Sequence, residues 1–353
     1  MKRARARTRL RPHGGRGMTL IELMIAVVIG LFLVAVMGSI FVGSRTTFSA
    51  QESISRLQEN GRFAVDTIAH DLRLSGFRGC LGQVRATPLV NTLNTPAALL
   101  YDFGTPAWGS RNTGAGWSPA LQAPLAGLAP LPAGDVLVVR RPVGSGWSLI
   151  GEMASNTAPL VVTASPNFTQ GDLLLAADCA GGVVLQATNV GPGAAGSIEH
   201  NAGVAGITQG VSTNDLGRML SNDAMVWRLQ TVIYYLAPSV RRPGEISLWS
   251  YTAPTYDGSA NAAELVTGVE RMAVAFGVDT DGDFAADRFL DASQVADWTQ
   301  VVSARVDLLL SGNADNTATA PQPYTWAGAN VVPADRKLRT TISVAASLRN
   351  TVP

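Results

Sequence analysis

Four aspartates fall within nine residues, at Asp279, Asp281, Asp283 and Asp287. Oxygen ligands at alternating positions of a loop are how a chain offers side chains to calcium. Ca2+ is therefore the one cofactor the sequence suggests, and nothing else in the chain requires one. The pattern departs from a helix-loop-helix calcium loop. Gly282 stands at the fourth position instead of the sixth, Leu290 occupies the twelfth where a bidentate glutamate belongs, and Asp291 comes one residue late. The other reading is a strand-connecting turn with solvated aspartates, for which Asp-Gly is a common signal. The departures favour the turn.

Other reactive chemistry is sparse. The histidines are His13, His70 and His200, in three separate parts of the chain. No HExxH, GxSxG or phosphate-cradling glycine loop occurs, and no spacing singles out a carboxylate pair. The chain reads as a non-enzyme. Cys80 and Cys179 are its two cysteines. They are too few for a tetrahedral zinc site and have no histidine close by. In an exported chain they pair as a disulfide by default. Such a bond would close a loop of about a hundred residues, worth about 4–5 kcal/mol by chain-entropy reasoning. Two buried free thiols are the alternative.

One further acid is out of place. Glu22 stands near the start of a near-continuous apolar run from Met18 to Phe41. That run is long enough to cross a bilayer as a helix, and a carboxylate inside hydrocarbon is expensive enough to call for a partner. Ahead of it lie seven basic residues and no acid: Lys2, Arg3, Arg5, Arg7, Arg9, Arg11 and Arg16. This leader would stay on the cytoplasmic side. A secretory signal ends its apolar segment at a small-x-small site; here the small residue, Gly17, precedes the run. Subtracting the leader's +7 from the formal +1 of the whole chain leaves the rest at −6. The basicity thus belongs to targeting, and no specific nucleic-acid partner is expected.

The elements that hold these residues follow from periodicity. Beyond the apolar run, Phe48, Ile54, Leu57, Ala64, Val65, Ile68 and Leu72 recur at mostly three- and four-residue steps, one face of an amphipathic helix. Arg45, Glu52, Arg56, Glu59, Arg62, Asp66 and Asp71 take the opposite face, Gly61 weakens the middle, and Gly76 supplies a stop. One helix over Met18 to Ser75 would be about 87 Å long. Thr87 to Pro132, without periodicity, reads as an extended surface excursion with one short strand, part of it packed down by Trp108 and Trp117. Strands are expected at Asp135–Arg140, Asp172–Ala176, Val183–Ala187, Val226–Leu236, Ile246–Tyr251, Val269–Val278, Val302–Leu310 and Leu338–Leu348. Gly191–Gly217 reads as a flexible loop and Ser311–Val332 as a polar one.

The junction Gly17-Met18-Thr19-Leu20-Ile21-Glu22-Leu23-Met24-Ile25, behind its basic leader, resembles the class III signal of type IV prepilins. The resemblance implies that prepilin peptidase cuts after Gly17 and methylates the new amine of Met18. It also implies that Glu22 pairs with the Met18 amine of a neighbouring subunit in the filament. In the remainder, SGFRGC (Ser75–Cys80), GDVLVVRR (Gly134–Arg141), ADC (Ala177–Cys179), ELVTGVERMAVAFGVDTDGDFAADRF (Glu264–Phe289), VVSARVDLLL (Val301–Leu310) and LRTTISVAASLRN (Leu338–Asn350) resemble PilW-type minor pilins. That family implies an α+β, type IV pilin-like fold, a long N-terminal helix packed on a mainly antiparallel head. The boundaries would be leader 1–17, membrane or filament-core helix 18–43, amphipathic continuation 44–76 and β-rich head 77–353. The implied partners are prepilin peptidase, other minor pilins, the major pilin, a tip adhesin and the bacterial inner membrane. The implied place is that membrane, with the head in the periplasm, and then an extracellular pilus serving twitching motility and attachment. Alternatives are a minor pseudopilin of type II secretion, a membrane-anchored calcium-dependent adhesive module, and a plain signal anchor whose Glu22 snorkels to the interface.

Overall fold

The computed structural model describes residues 17–80, 89–163, 168–190, 195–207, 209–254, 260–312, 315 and 317–348. The basic leader up to Arg16 and the closing Arg349-Asn350 lie outside the described residues. The chain forms two compact units, residues 1–52 and 53–353. One helix, α1, runs over Leu20–Leu74.

In the first unit, every residue from Gly17 to Ser49 is exposed. The apolar residues sit on all sides of the helix, and one window of it is apolar and long enough to cross a membrane. A helix apolar all round is one that meets lipid or other helices.

In the second unit, α1 buries Leu57, Gly61, Ala64, Val65, Ile68, Ala69 and Leu72. Their steps of three, four and one trace a single stripe. Each large side chain so buried contributes about 1.5–3 kcal/mol. Two residues expected on this face do not reach the core: Phe48 is 68% exposed and Ile54 44%. The helix stops where expected. Gly76 adopts φ +70, a conformation glycine takes without steric penalty, and the Ser75 hydroxyl donates to the Leu72 carbonyl at 2.7 Å.

The stripe packs on two sheets. The larger has nine strands among the described residues. Its main path runs Leu89–Asn91 (β1), Gly181–Gln186 (β7), Leu173–Asp178 (β6), Met225–Pro238 (β10), Val136–Ser148 (β4), Ala107–Asn112 (β2) and Trp117–Ser118 (β3). Ile246–Ala253 (β11) also pairs β10, and Asn261–Thr267 (β12) pairs β11. All these pairings are antiparallel except β1 with β7. The second sheet has four antiparallel strands in the order Arg288–Asp291 (β14), Val269–Val278 (β13), Val301–Ser311 (β15) and Arg339–Ser347 (β18). Leu137, Val139, Val232, Tyr234 and Leu236 of the first sheet join Met272, Val274, Phe276, Ala304, Val306 and Leu308 of the second around the helix stripe.

The continuous apolar runs VLVV and VIYYL are explained by burial on both sheet faces. Opposite the helix, Val136, Val138, Ile233 and Tyr235 pack against Leu99, Trp108 and Leu125. The described part of the stretch expected as a surface excursion, residues 89–132, is therefore not one; residues 87–88 lie outside the described residues. The described part forms three short strands and a helical turn at Leu125–Leu128, and it covers the back of the large sheet.

The expected loop over 191–217 is corrected in part: residues 195–199 form a strand, residues 200–207 and 209–217 form none, and residues 191–194 and 208 lie outside the described residues. Ala195–Glu199 (β9) pairs with Leu160–Thr163 (β5) and Asn189–Val190 (β8) in a third sheet. His200 is 2% exposed there, its Nε2 lying 3.0 Å from the Ala158 carbonyl. The stretch 311–332, expected as a polar loop, holds a hairpin of Tyr324–Trp326 (β16) and Ala329–Val331 (β17).

Candidate functional site

At the amino end of α1, Thr19 and Glu22 close a capping box. The Thr19 N–H and its hydroxyl each donate to Glu22 Oε2 at 3.0 Å, and the Glu22 N–H donates to Thr19 Oγ1 at 3.3 Å. Such reciprocal bonds satisfy donors that a helix start leaves open. Gly17 and Met18 precede the helix and are exposed, so the Gly17–Met18 bond lies in non-helical chain. Among the described residues, Glu22 has only its own cap to answer its charge.

At the other end of the helix, Asp71 was expected to face solvent and does not: it is 3% exposed. Tyr234 Oη donates to its Oδ2 at 2.7 Å, and Arg141 Nε pairs with its Oδ1 at 2.7 Å. Burial, and then the neighbouring Asp71 charge, push the Tyr234 phenol well above its ordinary pKa. Helical spacing gives no sign of this, because Asp71 lies between buried neighbours at Ala69 and Leu72 and its partners come from β4 and β10.

Just past the helix, Cys80 is bonded to Cys179 with Cα atoms 5.1 Å apart and a sequence separation of 99. The bond fastens the segment after α1 to the end of β6. Phe77 supports the junction edge-on against Trp227, with ring centroids 5.1 Å apart. Asp178, beside the bridge, accepts N–H bonds from Ala180 and Gly181 at 2.9 Å and pairs with Arg218 at 2.8 Å.

The acidic loop follows β13. Of its four aspartates, Asp279, Asp281 and Asp287 bring carboxylate oxygens within 4.8 Å of one another, and Asp283 is not among that group. Asp279 is fully buried and accepts from Gly282 N–H at 2.7 Å and Phe284 N–H at 3.2 Å. Asp287 Oδ2 accepts from the Thr280 N–H and hydroxyl at 2.7 and 2.6 Å. Thr280's hydroxyl and then its N–H hold the Asp287 carboxyl below the usual range. Asp281 and Asp283 accept from the N–H groups of Asp283 and Ala285. The carboxylates thus serve as turn-forming acceptors.

Sequence reasoning also missed what the two Gly-Asp strand starts do. Asp172 is fully buried and pairs with Arg228 at 2.8 Å. Asp135 is 6% exposed and accepts from the Val274 N–H at 2.8 Å, joining the two main sheets. Burial pushes its carboxyl up to about 6, against the pull of the Val274 N–H and the Arg111 guanidinium. Asp135 lines a cleft of about 640 Å³ on the outer face of the four-stranded sheet, together with Arg111, Arg271, Asp291 and Trp326.

Two family descriptions match the chain. "Prokaryotic N-terminal methylation motif" matches residues 13–38, which contain Gly17, Met18 and Glu22. "Type IV Pilus-assembly protein W" matches residues 233–350, from the middle of β10 to just past β18. No curated protein and no solved structure gives a significant match. A methylation motif on an apolar helix, that helix packed on a mostly antiparallel head, and a PilW match over the head's carboxy-terminal part support a PilW-type, class III prepilin-like protein of the type IV pilus kind.

Proposed function

We propose that this protein is a minor pilin that helps initiate a type IV pilus and sits near its tip, supporting twitching motility and attachment. The observation that carries the reading is the segment from Gly17 to Ser49, exposed throughout, whose helix starts at Leu20 and is capped by Thr19 and Glu22. Such a surface needs lipid before assembly and neighbouring helices after it. In this reading prepilin peptidase cuts between Gly17 and Met18 and methylates the Met18 amine. The helix over 18–43 anchors the subunit in the inner membrane with the head in the periplasm. Docking into a growing filament then brings a neighbour's Met18 amine to Glu22 and relieves an uncompensated charge. Pilin-type heads are structural, and the role assigned to this one is to hold and display surfaces for other minor pilins, the major pilin and a tip adhesin.

The test has two parts. Sequencing the membrane-extracted protein should give a start at Met18 carrying an N-methyl group, and Glu22→Leu should abolish incorporation into filaments. A retained arginine-rich leader, or normal incorporation of the variant, would overturn the reading. Loss of secretion with intact pili on deletion would move the subunit to a type II secretion pseudopilus.

A further inference from the structure

We propose that the cleft on the outer face of the four-stranded sheet binds a neutral oligosaccharide. Along β13, burial alternates. Met272, Val274 and Phe276 face the core, while Arg271, Ala273 and Ala275 face outward. The outward residues are not part of the core, yet this face is not simply solvated. Ala273 and Ala275 make a low floor, and side chains from β2, β14, β15 and the β16–β17 hairpin rise around it. The volume of about 640 Å³ suits a ligand of about two to four sugar units, within the usual range of small-ligand sites.

The polar lining matches hydroxyl chemistry. Arg111 donates to Asp291 at 3.1 Å, and Arg305 lies 3.4 Å from Asp307. With Arg271 and Asp135, these place three guanidiniums and three carboxylates around one space. Opposite charges in equal number select against a strongly charged ligand, which would leave one sign desolvated and unpaired. A sugar hydroxyl both donates and accepts, so it can use both signs. Among the described residues, Arg271 and the side-chain amide of Gln294 have no hydrogen-bond or ion-pair partner, which leaves donors open to a ligand.

Trp326 supplies the remaining element. It ends β16 at a two-residue turn, Ala327-Gly328, whose φ values of 49° and 79° are both positive. Such turns hold hairpins in a fixed twist, and the partly exposed Trp326 lines the cleft. A flat aromatic face is a natural partner for the C–H face of a pyranose. A peptide fits less well: β13 and β15 are each paired on both sides, so the floor offers no main-chain edge for strand addition.

The experiment uses the full chain in a detergent without a sugar headgroup. It is applied to an array of neutral and acidic glycans, and the best neutral ligand is then titrated by calorimetry. Saturable neutral binding is expected, weakened at least tenfold by Trp326→Ala and by the exposed, loop-borne Gln294→Ala, with melting temperature unchanged. Val240→Ser, at a site 74% exposed and outside the cleft, should bind as wild type. Three results would overturn the proposal: no binding across the array, binding of acidic glycans only, or neutral binding that both cleft variants leave intact. Because the readout is soluble binding, its failure would leave the filament reading standing, and the reverse holds too.

Discussion

Glu22 and Asp71 are two acids on one helix, the first in an apolar run and the second in an amphipathic stretch, and the chain treats them oppositely. Asp71 is buried and answered inside the protein by Arg141 and Tyr234. Glu22 is exposed and answered by Thr19 of its own turn. The difference follows from what surrounds each one. In the second unit the sheets provide partners, so a buried charge is tolerated at the cost of a fixed geometry. In the first unit, among the described residues, Glu22 has no partner beyond Thr19, and the residues that follow it in the helix are apolar. A buried acid with internal partners is a feature of the fold; an exposed acid at an apolar helix start is the one that the proposed filament would complete with a neighbouring subunit.

Removing Asp71 should have the largest effect on stability. Asp71→Leu leaves the Arg141 guanidinium in a largely buried place with no counter-charge, and should cost about 3–5 kcal/mol. Tyr234→Phe, which removes one hydrogen bond to a charged acceptor, should cost about 1–3 kcal/mol. Urea unfolding of the head reads both. Glu22→Leu, tested the same way, should leave that transition in place because its defect is confined to assembly. If Asp71→Leu costs less than Tyr234→Phe, the internal answer is not what holds the acid.

A third acid sharpens the contrast because it is buried with weaker compensation. Asp135 has its carboxyl raised to about 6, above the unfolded value of about 3.9. The folded state therefore holds this proton more tightly than the unfolded chain. Stability from this group is fully present below pH 4 and is lost as pH rises through about 6. At neutral pH the loss is on the order of a few kcal/mol. Asp135→Asn keeps a neutral side chain of similar shape and should flatten the stability profile between pH 4 and 7. An unchanged slope would show that the Val274 N–H and Arg111 compensate the charge fully.

What could be read from the sequence depended on whether a partner was local. Val269–Val278 was legible to the residue, because one sheet face is buried and large apolar residues alternate with arginine and alanine along it. The apolar runs of β4 and β10 were legible as strands, but not the reason for their continuity, since the covering segment around Leu99, Trp108 and Leu125 carries no period. The hairpin holding Trp326 was missed because its turn is Ala-Gly, where Asn-Gly or Asp-Gly would have announced the positive φ values. β9, AGSIE, is too short and too rich in small residues to stand out. Glu22 and the Gly17–Met18 junction were visible at once, because a charge in an apolar run contrasts with its neighbours in sequence. Asp71 was misplaced because its place depends on Arg141 and Tyr234, both far along the chain. The disulfide was legible because only two cysteines exist.

The same contrast predicts opposite signs for one substitution. In the first half of α1, a Cβ added at Gly38 would meet nothing within 4 Å; at Gly61 it would lie 2.0 Å from Ile342 Cδ1. Gly38→Ala should therefore gain helix propensity of up to about 1 kcal/mol in the isolated chain. Gly61→Ala gains the same propensity but must displace a packed side chain, an overpacking cost of about 1–3 kcal/mol. The net change should be a loss, which Ile342→Val in the same chain should partly restore. Gly61 is thus a seat for β18 more than a weak point in the helix. Circular dichroism of the full chain, with head melting in parallel, separates the two. A Gly61→Ala protein that melts higher than wild type would show that Ile342 yields without cost.

Calcium should have the smallest effect on this comparison. The oxygens an ion would need are already in use: both carboxylate oxygens of Asp279 accept N–H bonds, and Asp287 is tied to Thr280. Asp283 stands apart from the three that converge. An ion would have to displace bonds that shape the turn, so millimolar calcium should change neither the melting temperature nor the heat of mixing. A bound ion would be conspicuous, since ligand at a hundred times its dissociation constant adds about 2.7 kcal/mol of stability. If such a rise appears and Asp281→Ala removes it, the loop is a metal site after all. The head would then take part of its charge balance from outside the chain, as the filament reading proposes for Glu22.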